Sequence, residues 1–217
     1  MTTQSVPQAV SDVKSDYIVA KFGGTSVANF DAMSRCSEII VADKSVRIVA
    51  VSASAGVTNH LVALCKSDIT SEQRQENIDG VLAIQQAILD ELSLDADLAV
   101  GFNETLKAFQ ALAQQQLTTA QQHDELLSFG ERLSSYLFAQ VLRLKGLNAD
   151  RFDVRQVLKT DSQFGKATPN VSATAQAAKE YLIPLLDDQV IVTQGFVGSD
   201  EFGQTTTLGR GWSDYSA

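Results

Sequence analysis

The residues best suited to chemistry gather near the end of the chain, between Gly195 and Ala217. Glycines 195, 198, 203, 209 and 211 alternate there with hydroxyl side chains, Arg210 and the pair Ser213-Asp214. Glycines let backbone N–H groups approach an anion closely. Ser213-Asp214 reads as a helix N-cap, a place that favours phosphate or carboxylate, although the few residues from Ser213 to Ala217 are too short for a stable helix alone. Arg210 is suited to a bidentate grip on a carboxylate. Asp214 is suited to orienting a lysine or helping to hold metal-bound phosphates. The tip Ser199–Gly203 reads as an exposed hairpin.

Three further stretches carry polar groups in telling positions. Lys21-Phe-Gly-Gly-Thr-Ser26 puts a fixed positive charge just ahead of Gly23 and Gly24. Such a lysine can stabilise charge on a phosphoryl group, or it can be a solvated side chain before a turn. The lysine precedes the glycines, and no GxxxxGK[ST] occurs, so this is not a Walker loop. Ser52-Ala-Ser-Ala-Gly-Val-Thr58 offers Ser52 and Thr58 to a small polar substrate, or simply turns the chain into a helix. In Ser128-Phe-Gly-Glu-Arg-Leu-Ser-Ser135, Gly130 costs about 1 kcal/mol inside a helix, which asks for a packing or ligand reason. Glu131 beside it is placed to bind an ammonium group or to share an exposed helix face with Arg132. His60 and His123 lack partner spacing and read as non-catalytic.

These stretches need elements to hold them. Tyr17–Phe22 and Val46–Ser52 are continuous apolar runs that read as buried strands, with a helix between them over 29–42 capped by Asn29. This β-α-β order predicts an α/β fold with a parallel sheet and helices on both faces. Lys21 and Ser52 then fall at carboxyl ends of strands, where doubly wound sheets bind ligands. From Thr70 to Gly146 the pattern is helical throughout, with a Gln-rich patch at 114–122 marking a helix–helix connection. A strand over 149–154, a helix over 172–186 and a strand over 190–193 complete the reading. Residues 1–16 are polar and aperiodic and read as a disordered arm.

The 217 residues are 44% hydrophobic, enough for a sizeable core in one large domain. A net charge of −9 argues against nucleic acid or an anionic membrane surface as partner. No apolar run long enough for a transmembrane helix and no signal pattern occur, so a cytoplasmic protein is expected. Cys36 and Cys65 read as buried free thiols without metal-ligand spacing, and no metal site is expected.

Taken together, KFGGTSV at 21–27, VSASAGVTN at 51–59, SFGERLSS at 128–135 and TQGFVGS…TTTLGRG-SDYSA at 193–217 closely resemble aspartate kinases, the lysine-sensitive type above all. The resemblance is collinear from about Tyr17 to Ala217. It implies the amino-acid kinase fold, a parallel-rich sheet between helical layers, incomplete at its C-terminus. Residues 17–217 would be the aspartate-binding half of the kinase domain, with the ATP-binding half and the regulatory ACT domains absent. The implied reaction transfers the γ-phosphoryl of ATP, with Mg2+, to the β-carboxylate of L-aspartate, in a complete enzyme that is a homo-oligomer. The resemblance makes Lys21 the phosphate-stabilising catalytic residue and Asp214 its organiser. Gly23, Gly24, Thr25, Gly209 and Gly211 would bind phosphate. Ser52, Thr58, Glu131, Phe196, Arg210 and Ser213 would bind aspartate, Glu131 at the amino group and Arg210 at the α-carboxylate. The family has glycine where this chain has Trp212, a bulky departure inside the implied site. The 217 residues alone are expected to be inactive as a kinase with no nucleotide bound. The alternatives are another amino-acid kinase, or a non-catalytic aspartate-binding fragment or partner module of the amino-acid kinase family.

Overall fold

Strands buried on both faces need unbroken apolar runs, and four of them pair here into one parallel sheet. The structure, a computed structural model, describes residues 17–208; residues 1–16 and 209–217 lie outside it, and with them the expected arm. The strands are β1 (Ile18–Phe22), β2 (Val46–Val51), β3 (Ala149–Arg151) and β4 (Val190–Gln194), ordered β1-β2-β4-β3. Phe22 stands level with Val51, and Val51 with Gln194, so three strands end in one row. The ladder runs one step beyond that row, with Ser52 N donating to Phe22 O (3.0 Å) and Gly195 N to Val51 O (3.0 Å). The KFGG, SASAG and QGF stretches therefore leave the sheet side by side.

Among the described residues six helices accompany the sheet: α1 (Phe30–Ala42), α2 (Val57–Leu64), α3 (Ser71–Leu89), α4 (Ala96–Ala113), α5 (Ala120–Leu144) and α6 (Val171–Ala177). Their starts are chemically marked. Asn29 Oδ1 accepts from Ala32 N at 2.8 Å, capping α1 as its sequence predicts. Thr70 with Gln73, and Thr119 with Gln122, form reciprocal capping boxes that start α3 and α5. The connection between α4 and α5 is thus shorter than the Gln-rich patch, because Gln121 and Gln122 belong to the first turn of α5.

Alternation along the strands gives each face of the sheet its own core. Val49, Val51 and Val192 face Met33 and Ile40 of α1, Phe102 of α4, and Leu133, Leu137 and Val141 of α5. Ile48 and Ile191 face the other way, onto Val154, Leu158, Ala177 and Leu186. A third cluster joins Leu61, Ile78, Val81, Phe109, Leu126 and Phe129 where α2 to α5 meet. Each such side chain contributes about 1.5–3 kcal/mol on leaving water. α5 belongs to both the first and third clusters, so its inward face is fixed along its whole length.

Two expected elements are shorter than their patterns suggest. The strand at 149–154 stops at Arg151, because Asp153 accepts from Arg155 N (3.2 Å) and folds 154–156 into a turn. The helix expected over 172–186 is regular only to Ala177, and then loosens into a wide turn over 178–182 and a tight one over 183–185. Pro184 lies in that last turn and has no N–H to continue the helical ladder. The expected hairpin is present, β5 (Val197–Ser199) and β6 (Thr205–Thr207) pairing antiparallel, but it is exposed only at 201–203: both strands are buried, and so is Asp200, whose Oδ1 accepts from Phe202 N and Gln204 N.

Candidate active site

Where the three strands end in a row, a cleft of ≈ 420 Å³ opens, lined by Gly24, Ser52 to Gly56, Thr58, Leu127, Glu131, Gly165, Phe196 and Thr207, with Val62 at its edge. Five of the residues singled out in the sequence meet there: Gly24, Ser52, Thr58, Glu131 and Phe196. They come from four separate segments, and each has a physical reason for its position.

The loop after β2 is held against α5 by reciprocal contacts. Ser134 Oγ donates to Ser52 O at 2.7 Å, and the Ala53 N–H donates to the Glu131 carboxylate. Gly130 makes this approach possible, since a Cβ there would lie 2.6 Å from Ala53 Cβ. That is the packing reason its place in a helix demands. Gly24 is equally constrained, because a Cβ would meet Ala53 O at 2.9 Å. Its lack of a side chain serves the close pass of two loops.

Glu131 is buried, at 8% exposure, so it is not part of the open helix face that its neighbour Arg132 had suggested. Burial pushes its carboxyl up to about 7, against the opposing hydrogen bonds of its own helix backbone and Ala53 N–H. A buried carboxylate facing a cleft is a strong attractor for a cationic ligand group. Arg132 turns away. It stacks over the Phe129 ring, 4.4 Å from its centre, and pairs with Glu125 at 2.7 Å. Glu125 also approaches Arg155 at 3.6 Å. Burial works against the Asp153 charge, but hydrogen bonding from Arg155 and the charges of Arg151 and Arg155 hold its carboxyl well below the usual range.

Phe196 sits at the mouth of β4 with φ +66°, the one non-glycine residue with positive φ among those described. For a bulky side chain this conformation costs about 1–2 kcal/mol. Two backbone bonds bracket it: Gly195 N to Val51 O and Leu208 N to Phe196 O, both 3.0 Å. The strain turns an aromatic residue into the cleft between a buried strand and the hairpin.

Other expected site residues fall elsewhere. Lys21 is half-buried on β1 and Gly23 is exposed, neither lining the cleft. Thr25 borders a separate hollow with Ser26, Arg35 and Cys36. Gly209, Arg210, Gly211, Trp212, Ser213 and Asp214 lie outside the described residues. Cys36 and Cys65 are free and half-buried rather than buried, and burial pushes the Cys65 thiol up to about 11. His60 Nδ1 and Asn77 Oδ1 are 3.0 Å apart, away from the cleft.

The sequence reading missed Asp124, which is 1% exposed. Its Oδ2 accepts from both Gly165 N and Thr207 N at 2.8 Å, and its Oδ1 from Thr207 Oγ1 at 2.8 Å. A signal existed. Asp124, Ser128, Glu131 and Ser135 share one helix face by their spacing, and all four are buried. A polar stripe on the inward side of an otherwise apolar helix marks a built site.

A row of strand ends with a buried carboxylate in its cleft is the arrangement of an α/β ligand-binding domain, and the comparisons give the class: residues 16–217 match the amino acid kinase family, to which this chain belongs. Among individual proteins it is similar to the lysine-sensitive aspartokinase 3 of Escherichia coli, 44% identical over 205 residues, 94% of this chain and 45% of that protein. The aspartokinase of Chlamydia trachomatis is 35% identical over 92% of this chain and 44% of its own length. The crystal structure of E. coli aspartokinase III with aspartate and ADP superposes with a TM-score of 0.87 at 44% identity, over 93% of this chain and 45% of that one. The chain spans about 45% of the length of these relatives. Among the described residues no helix is long and apolar enough to cross a membrane.

Proposed function

We propose that residues 17–217 form the aspartate-binding part of an aspartate kinase, which transfers the γ-phosphoryl of ATP to the β-carboxylate of L-aspartate and yields 4-phospho-L-aspartate, the first step of lysine, threonine and methionine biosynthesis. The observation that carries this reading is Glu131, a buried carboxylate facing the cleft, with no described cation among the groups that act on it. An amino acid offers the ammonium group that such a carboxylate needs. Ser52 and Thr58 supply hydroxyls beside it, and Phe196 supplies an apolar wall. The relative that superposes on this chain was crystallised with aspartate and ADP.

In this mechanism the protein's work is positioning and charge neutralisation, which account for most of phosphoryl-transfer catalysis. Glu131 holds the amino group and Arg210 grips the α-carboxylate, with Ser213 beside it. Together they leave the β-carboxylate as the free nucleophile. Lys21 neutralises charge on the transferring group and Asp214 orients Lys21. Gly23, Gly24, Thr25, Gly209 and Gly211 donate backbone N–H groups to phosphate. In the complete enzyme Mg2+ accompanies ATP, and no step is assigned to it. The enzyme is cytoplasmic and homo-oligomeric in this reading.

Calorimetry with L-aspartate, without nucleotide, tests the binding half of the proposal. Saturable heat that L-glutamate does not reproduce supports it, and no heat with L-aspartate sinks it. An ATP-dependent hydroxamate assay for the acyl phosphate tests turnover separately. Binding without turnover is the expected outcome for these 217 residues, and acyl phosphate formed by them overturns the expectation that they are inactive alone.

A further inference from the structure

Asp124 has no part in the reaction above, yet it is the most deeply buried carboxylate of α5, at 1% exposure. Ionised carboxylates at such depth are costly unless their oxygens are occupied. Here both are, by three donors at 2.8 Å from two distant segments: Gly165 N, Thr207 N and Thr207 Oγ1. Both partners line the cleft. Thr207 also ends β6, and Arg210 follows it closely in the sequence. α5 thus carries a charged wall of the cleft at Glu131 and, two helical turns earlier on the same face, the anchor of two other wall pieces.

We infer that Asp124 is a positioning residue, which fixes Gly165 and Thr207 relative to Glu131 and so sets the width of the site. The ligand named for that site rests on the aspartate reading, whereas the clamp rests on geometry alone. Gly165 depends on it most. This loop residue has φ +82° and is exposed, with nothing within 4 Å of where a Cβ would lie, so packing does little to hold it.

The bonding pattern separates positioning from charge. Oδ2 accepts from two backbone N–H groups, so that place requires an oxygen. Oδ1 accepts from a hydroxyl, which can rotate and accept instead. An amide fits both places, its carbonyl toward the two N–H groups and its NH2 toward Thr207 Oγ1. Asp124→Asn therefore retains the clamp without its charge, and Asp124→Ala removes it.

Amide hydrogen exchange and L-aspartate calorimetry on the 217-residue wild type and both variants test the inference. In Asp124→Ala, exchange at Gly165 and Thr207 should quicken about tenfold or more, since the oxygens that accept from both N–H groups are gone. Exchange in β2 and β4 should stay unchanged, which excludes general unfolding. Affinity for L-aspartate should fall about tenfold alongside. Asp124→Asn should restore both to within about threefold of wild type, a rescue that a need for the charge itself would not give. Unchanged exchange at Gly165 and Thr207 in Asp124→Ala overturns the clamp. Wild-type aspartate binding that Asp124→Ala leaves intact overturns its role in the site, as does an Asn variant that behaves like Ala. If wild type gives no heat with L-aspartate, the function reading fails while the exchange pattern still decides the clamp.

Discussion

Replacing Glu131 by Gln should stabilise the protein above neutral pH and leave it nearly unchanged near pH 4. An unperturbed Glu ionises with a pKa of 4.5, and burial raises Glu131 in the fold to about 7. Between those values the native state holds a proton that the unfolded chain has released. Wild-type stability must therefore fall as pH rises from about 4.5 to 7, and level off above. The gap, at about 1.4 kcal/mol per pH unit, amounts to roughly 3 kcal/mol. Gln is nearly isosteric with the protonated acid, so it matches wild type near pH 4, already leads slightly at pH 5, and lacks the desolvation cost at pH 8. For a chain of this size, ~3 kcal/mol corresponds to about 6–12 °C in Tm.

Thermal melts of wild type and Glu131→Gln at pH 5, 6, 7 and 8 read this directly. The expected result is a Tm difference that opens with pH and saturates above 7. A difference that does not change with pH, or a variant less stable at pH 8, refutes the reasoning. Excess L-aspartate at pH 8 should narrow the gap by raising the wild-type Tm, since its ammonium group neutralises the buried anion. The variant, lacking that anion, should not respond.

The same carboxylate makes aspartate binding pH-dependent: calorimetric affinity should weaken about tenfold from pH 8 to pH 6, as ionised Glu131 falls from about nine-tenths to one-tenth. Gly130→Ala should cost about 1–3 kcal/mol in a urea melt despite the better helix propensity of alanine, because the new Cβ meets Ala53 Cβ at 2.6 Å. Ser134→Ala should cost about 1 kcal/mol in the same melt, and should weaken L-aspartate binding, through loss of the 2.7 Å bond to Ser52 O.

The sequence makes the strands legible because burial on both faces demands unbroken apolar runs, and Val46–Val51 and Val190–Gln194 are such runs. Their level ends could be foreseen as a ligand edge because parallel sheets place their functional loops there. What stayed hidden was set by single side chains. Nothing periodic reveals that Asp153 folds the chain back after Arg151, or that Pro184 unravels the last turns of a helical pattern. Glu131 illustrates the limit most clearly. Its residue type pointed to an ammonium ligand, but its burial depends on how α5 lies against the β2 loop, and the adjoining Arg132 made an exposed face look natural.

Asp124 was missed for a related reason, and that reason bears on how the site works. Its partners are two backbone N–H groups and one hydroxyl, groups with no charge to complement, so no residue type in the sequence pairs with it. The donors converge because α5 is immobilised twice, once against the sheet and once against α2 to α4. A helix fixed in this way can carry buried carboxylates that would melt a looser element. One of them, Asp124, has its hydrogen-bonding places filled by the protein itself. The other, Glu131, receives only backbone support; burial raises both carboxyls above their usual range, Glu131 to about 7. In the proposed reaction the substrate's ammonium supplies the missing counter-charge. The surrounding core therefore has to stabilise the fold enough to tolerate roughly 3 kcal/mol held at Glu131 until aspartate arrives.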